Sequence, residues 1–273
     1  MSKETSEIKT YHGNCHCGSF KFNIQIPGLK IINECNCNMC HKKSHKWVFP
    51  AIQFTIEKGE GSLQVYKPAM CELTQKFCPT CGSTVMGVRY GASSIRDIAI
   101  NARTLRNVDI WTLESQSFDS RSLELPYFHP KFTGSEPTPE IEGLKLYTGA
   151  CHCGAVTLAV KAKPFPIKGQ PVPEVSEYIQ ECKCSICIRN GTTFIYPHLS
   201  QVSIYNAPEN LVTYMFGRKL QKHMFCRTCG ISVCIEKTSP PKEVAVLWPD
   251  AKQEIWPMIL PINLRILDCV EWD

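Results

Sequence analysis

The chain has 273 residues, 43% of them hydrophobic, with 30 Lys and Arg against 25 Asp and Glu and 17 cysteines. That length suggests about two domains, and the polar start Met1-Ser2-Lys3-Glu4-Thr5-Ser6-Glu7, with no signal-like stretch and no bilayer-length apolar run, predicts a soluble, cytoplasmic protein with no membrane partner. The formal charge of +5 counts thiols as neutral; thiolates on four zinc ions would bring it to about −1, and no Lys/Arg run interleaved with aromatics stands out, so no nucleic-acid partner is expected.

In chain order, the first signal is Cys15-His16-Cys17-Gly18, followed by residues 19–26, whose polar and apolar residues alternate as in a half-buried strand. Cys35, Cys37 and Cys40 form a C-x-C-x-x-C triplet. Residues 48–54 and 63–66 read as short strands. Phe77-Cys78-Pro79-Thr80-Cys81-Gly82 reads as two cysteines flanking a tight turn, with a glycine free to take the positive φ the turn needs. Residues 85–88 and 98–100 are further strands, ending in Asn101-Ala102-Arg103. A tail over 111–132 then has no counterpart later in the chain and is expected to form a helix or strand across the junction.

The same order then repeats: Cys151-His152-Cys153-Gly154, a strand at 155–160, Cys182/Cys184/Cys187, Phe225-Cys226-Arg227-Thr228-Cys229-Gly230 and Asn263-Leu264-Arg265. Fourteen of the 17 cysteines fall in this repeat. The offset between copies grows from 136 residues at Cys15/Cys151 to 162 at Asn101/Asn263, which puts insertions of the second copy in loops, notably at 163–173 and Pro240-Pro241. A polar, breaker-rich stretch separates the copies, giving a first domain at 1–133, a linker at 134–146 and a second domain at 147–273. Long amphipathic helices are not evident. The expected fold class is mostly β: two tandem antiparallel β domains, each organised by zinc–cysteine sites.

Cysteines one and two residues apart, in a chain expected to meet a reducing cytoplasm, point to a soft tetrahedral cation such as zinc before disulfides. Cys15, Cys17, Cys78 and Cys81 would make one closed four-sulfur site, and Cys151, Cys153, Cys226 and Cys229 a second; such sites contribute to folding and have no room for a substrate. The triplets Cys35/Cys37/Cys40 and Cys182/Cys184/Cys187 supply three thiolates each. A fourth position is left for water or an incoming thiol, the arrangement of a reactive metal. In the first copy His41 or His45 could fill that position instead; residues 188–192 of the second copy offer no histidine.

The pattern C-x-C, C-x-C-x-x-C, C-x-x-C-G, found twice, resembles the glutathione-dependent formaldehyde-activating enzyme family, also called the centromere protein V-type domain, over nearly the whole of each half. The resemblance implies an Mss4-like β fold, a structural zinc on each outer four cysteines and a catalytic zinc on each middle three, hence up to four zinc ions. It also implies carbon–sulfur lyase-type chemistry on glutathione, or another thiol, and a carbonyl compound or metabolite. A tandem zinc module for protein interaction is the non-enzymatic alternative, and metal buffering or thiol sensing a third. The family's middle motif usually carries a histidine where this chain has Asn36 and Lys183. Ser185, Arg189 and Gly191 bring the second copy closer to the pattern.

Arg103 and Arg265 are candidates to clamp a glutathione carboxylate through paired hydrogen bonds, the plain alternative being bonds to nearby carbonyls. His16 and His152 are expected beside the metal rather than on it. Trp47 and Phe194 could wall a pocket or belong to the core. Cys71, Cys234 and Cys269 are expected to be buried free thiols, and Lys42-Lys43 a solvated turn. Two fused copies could satisfy internally an interface that single-copy relatives form as dimers, giving a monomer with an internal pseudo-dimer.

Overall fold

A computed structural model describes residues 7–68, 73–89, 91, 93–123, 127–138, 140–166 and 176–268. The chain forms two compact units. The first comprises Met1–Tyr127 and Lys183–Gly191, the second Phe128–Cys182 and Thr192–Asp273.

In the first unit, Ile8–Asn14, Lys21–Pro27 and Gln53–Lys58 make a three-stranded antiparallel sheet. The alternation in the sequence explains the middle strand. Phe22, Ile24 and Ile26 are buried while Lys21, Asn23 and Gln25 turn away from the core, and burial of each apolar side chain contributes about 1.5–3 kcal/mol. A second sheet has the order Glu114–Phe118, Ile31–Cys35, Trp47–Val48, Ile98–Asn101, Thr84–Arg89, Leu73–Phe77, Gln64–Tyr66. The strand expected at 48–54 is thus two strands in different sheets, with Pro50, which has no N–H to give a ladder, between them.

The second unit repeats the plan. Lys145–Ala150, Thr157–Ala162 and Val202–Tyr205 form its three-stranded sheet, and Gln180–Glu181, Thr193–Ile195, Ile262–Asn263, Ser232–Lys237, Gln221–Cys226 and Leu211–Tyr214 its larger one. The first unit adds one strand at the edge. Glu114–Phe118, part of the tail unique to the first copy, pairs in parallel with Ile31–Cys35, an exception to the antiparallel rule expected from the sequence. Helices are short throughout the described residues, and none is long and apolar enough to cross a membrane.

In each larger sheet the ladder slips by one residue just before a cysteine knuckle, between Lys76 and Phe77 and between Met224 and Phe225. A bulge ends regular pairing and re-aims the strand. Cys78 then follows the end of its strand and Cys226, still paired with Leu211, ends its own, and each joins the other pair of cysteines of its copy. Gly82 and Gly230 close the two turns at φ 75° and 69°, the left-handed conformation the sequence assigns to them.

Candidate metal centres

The sulfurs of Cys15, Cys17, Cys78 and Cys81 lie within 4.8 Å of one another, and so do those of Cys151, Cys153, Cys226 and Cys229. The spacing tests the metal reading. Tetrahedral zinc with ~2.3 Å bonds to sulfur separates its ligands by about 3.8 Å. Cys15 to Cys17 and Cys17 to Cys78 are 3.6 Å, while Cys151 to Cys153 and Cys153 to Cys226 are 3.5 Å. The donor sets fit a four-coordinate thiolate centre.

Backbone and sequence together make each cup. Cys15 N–H is held by Phe20 O and Cys151 N–H by Val156 O, while Gly82 N–H bonds Cys78 O and Gly230 N–H bonds Cys226 O. Phe20 and Val156 N–H in turn donate to the sulfurs of Cys15 and Cys151, both at 3.3 Å. Charge is the remaining problem. In the first cluster the bond to Cys17 holds Cys15 far below the ordinary thiol range, and bonds to Cys15 push Cys17 and Cys81 far above it. Cys78, raised by Cys15 but lowered by Cys17 and Cys81, sits at about 6. Four thiolates are not tolerated side by side without a cation, and a divalent ion removes the conflict.

Each triplet is built on one turn. Cys35 ends a strand, Cys37 is the N-cap of the helix Asn38–Lys43, and Cys40 lies in its first turn, with its N–H on Cys37 Sγ at 3.5 Å. Cys184 is likewise the N-cap of Ser185–Asn190, but without a capping bond from its side chain, and Cys187 lies in the first turn. The three sulfurs of each triplet lie within 4.8 Å of one another, and no histidine or carboxylate joins either group among the described residues. Neither His41 nor His45 lies in the first triplet's group. His45 is buried beneath the Trp47 ring, 4.5 Å between centroids, and burial drives its pKa well below the usual value, so the imidazole is neutral.

The triplets differ in cover. Cys37 and Cys40 are buried and Cys35 half-buried; Cys187 is buried, Cys182 half-buried and Cys184 exposed. The tail of the first copy accounts for part of this. Ser120 and Arg121 N–H both bond Asn36 Oδ1 at 2.9 Å, Asn36 Nδ2 bonds Asp119 Oδ1 at 2.7 Å, and Arg121 Nε bonds Asn36 O at 3.3 Å. The Ser120 hydroxyl also bonds Cys35, whose pKa Cys37 and burial nonetheless raise to about 11. Asn36 therefore ties the tail down beside the first triplet. Lys183, its counterpart, directs its ammonium over the Trp111 ring at 4.7 Å.

Arg103 and Arg265 occupy equivalent turns. Asn101 and Asn263 explain these turns, each taking the arginine N–H at 3.3 Å and donating to Thr84 O or Ser232 O. Arg103 is buried, with Nε on Ser44 O at 2.6 Å, Nη2 on Ser44 Oγ at 2.7 Å and Nη1 on Ile188 O at 3.3 Å. Arg265 Nε reaches Thr193 Oγ1 at 3.3 Å.

Lys42 and Lys43 are not a solvated turn. Both are buried, and Lys43 Nζ bonds Thr84 Oγ1 at 2.7 Å over the Phe77 ring. A helix whose outer face is covered cannot leave its last lysines in water, so Lys43 finds a hydroxyl and a ring instead. Trp47 and Phe194 are core residues, but Trp47 does more than fill space: its Nε1–H donates to Cys40 Sγ at 3.2 Å. Cys234 is buried and pushed up to about 12 by that burial; Cys71 and Cys269 lie outside the described residues.

The segment Lys183–Gly191, which the repeat in the sequence assigns to the second copy, belongs to the first unit. There Ser185 Oγ meets His16 Nε2 at 2.9 Å, Arg189 Nε bonds Asn14 O at 3.2 Å and Asn190 Nδ2 bonds Cys81 O at 3.3 Å. His16 is partly exposed and His152 buried, and neither joins a metal group.

A sequence model described as "Glutathione-dependent formaldehyde-activating enzyme" matches this chain twice, at residues 10–118 and 146–254. Among solved structures, a crystal structure of a Rhodobacter sphaeroides protein is 30% identical, covering 45% of this chain and 90% of that one, with a TM-score of 0.32.

Proposed function

Since this chain belongs to the glutathione-dependent formaldehyde-activating enzyme family in two tandem copies, we propose that it is a zinc-dependent carbon–sulfur lyase-type enzyme acting on adducts of glutathione, or another thiol, with a carbonyl compound. The exposed Cys184 within a three-sulfur cluster carries this reading, because it is the most open of the triplet cysteines, with Cys35 and Cys182 half-buried and the others buried. Cys182, Cys184 and Cys187 would hold the reactive zinc and Cys35, Cys37 and Cys40 its more enclosed counterpart; the outer clusters would hold structural zinc. Zinc there would supply a positive charge that keeps a substrate thiol ionised at neutral pH.

The chain's own groups bind and orient. Lys183, next to Cys184 in sequence, holds its ammonium over the Trp111 ring at 4.7 Å and would have to turn from it to meet an anionic thiol such as glutathione. Arg103 and Arg265 are the candidates for a carboxylate contact, and Arg103 would have to exchange bonds from Nε and both Nη atoms to Ser44 and Ile188 to make it. Residues 134–146 would serve as the linker between catalytic copies. The covered first triplet favours one further reading, a tandem zinc module that binds a protein partner, in which neither triplet turns anything over.

Native mass spectrometry of the whole chain, with and without glutathione, tests the proposal. Four zinc ions with glutathione retained, followed by glutathione-dependent consumption of an aldehyde, is the expected result. Two zinc ions and no glutathione would leave the outer clusters alone and return the protein-binding module.

A further inference from the structure

The two outer clusters share their motif but differ in what touches their sulfurs. Cys17 and Cys153 are the partly exposed members, and the other three sulfurs of each cluster belong to residues exposed by 1% or less. Each cluster also receives one equivalent backbone N–H, from Phe20 or Val156. Two hydroxyls, Ser19 and Ser83, are added in the first cluster. Ser19 Oγ lies 3.1 Å from Cys17 Sγ, 3.3 Å from Cys78 Sγ and 3.4 Å from Cys15 Sγ. Ser83 Oγ lies 3.4 Å from Cys81 Sγ and accepts the His16 N–H at 3.4 Å, which leaves its own proton for the sulfur once Cys81 is a thiolate. The corresponding positions in the second copy are Ala155 and Ile231, neither of which has a hydroxyl.

A hydrogen bond to a thiolate draws electron density from the lone pair that would attack an electrophile, and such outer contacts tune a metal site. We propose that, of the two outer clusters, Cys151/Cys153/Cys226/Cys229 is the peroxide-sensitive one, and that Ser19 and Ser83 make Cys15/Cys17/Cys78/Cys81 the resistant one. The proposal rests on the metal reading of both outer clusters. Cys153 is the accessible sulfur. Its thiolate attacks one oxygen of a hydroperoxide, forming an S–O bond and breaking the O–O bond, and hydroxide or alkoxide leaves. Cys226 Sγ, 3.5 Å away, then displaces hydroxide from the sulfenic acid to form the disulfide. The two sulfurs give up two electrons and the peroxide takes them; the cluster, with two ligands lost, releases its metal. The second copy thereby gains a modification site that the first has hydroxyls to suppress.

The test exposes the zinc-loaded full chain to hydrogen peroxide, follows release with a chromogenic chelator, and assigns disulfides to clusters by peptide mapping over time. Disulfide at Cys153 should form on the order of tenfold faster than at Cys17. Ser19→Ala should speed oxidation of the first cluster, and Ala155→Ser should slow that of the second. The Ala155→Ser arm stands by itself if Ser19→Ala fails to hold its metal. Equal rates for the two clusters, or an unchanged rate in Ala155→Ser, overturn this proposal alone. A chain that binds no metal at either outer cluster overturns the metal reading and this proposal together.

Discussion

The two copies of the repeat place the same cysteines on the same turns yet surround them differently. In the first copy a tail strand lies against Ile31–Cys35, Asn36 holds the following turn beside the triplet, and Trp47 donates to Cys40. In the second copy Lys183 and Phe194 stand at those positions and Cys184 is exposed. Duplication thus preserved the cysteine frame and changed its cover. The first copy is built like a sealed centre and the second like an accessible one, and substitutions at matched positions can break that contrast or sharpen it.

The largest effect is expected where the copies are alike. Cys229→Ser removes one sulfur from an outer cluster that joins segments some 75 residues apart, as seen in Cys151 and Cys226. Structural zinc contributes on the order of 10 kcal/mol in small zinc domains, so the variant should lose one zinc by mass and the cooperative melting of the second unit by calorimetry. Cys81→Ser should do the same to the first unit. Unequal losses would mean that one copy does not depend on its metal for folding.

At the triplets the copies should diverge. Cys184→Ser is expected to lower glutathione-dependent turnover by about 100-fold or more, as loss of a ligand to a reactive metal does, and Cys37→Ser by clearly less. Steady-state rates on one aldehyde compare them directly; equal losses would show that cover does not decide which copy works. Asn36→Ala then asks whether the clasp provides the cover. Removing the acceptor for the Ser120 and Arg121 N–H groups and the donor to Asp119 should cost about 1–3 kcal/mol locally. Alkylation of Cys35, followed by mass spectrometry, should speed up by roughly the tenfold that about 1.4 kcal/mol represents.

Much of this frame was legible in the sequence because cysteine knuckles write themselves in short, regular spacings. Cys15 to Cys81 and Cys151 to Cys229 assemble as those spacings required, Gly82 and Gly230 take the positive φ, and the alternation over Lys21–Pro27 buries Phe22, Ile24 and Ile26. The surroundings were not legible. Arg189, Asn190 and Arg103 bond backbone carbonyls, which every residue possesses, so no sequence pattern marks the partner. Lys43 reads as a charged surface residue because its buried ammonium is met by the Thr84 hydroxyl and the Phe77 ring, more than 30 residues away. One signal was available: Ser19 against Ala155 and Ser83 against Ile231 are visible differences inside otherwise matching motifs.

Trp47 offers the finest test of the contrast, because the second copy already contains the substitution. The Nε1–H on Cys40 Sγ at 3.2 Å is an outer bond to a buried ligand, and Phe194 has the ring without the donor. Trp47→Phe keeps most of the packing volume, so the unit should stay folded, with a modest cost for the smaller ring. The lost bond should weaken metal at the first triplet by a few-fold, the equivalent of about 1 kcal/mol. Chelator competition, with the vacated cluster identified by alkylation mapping, would read this as earlier loss from Cys35/Cys37/Cys40 and unchanged retention by Cys182/Cys184/Cys187. Equal retention at the first triplet before and after the substitution would reduce Trp47 to a core side chain and leave the clasp at Asn36 to account for the difference between the copies.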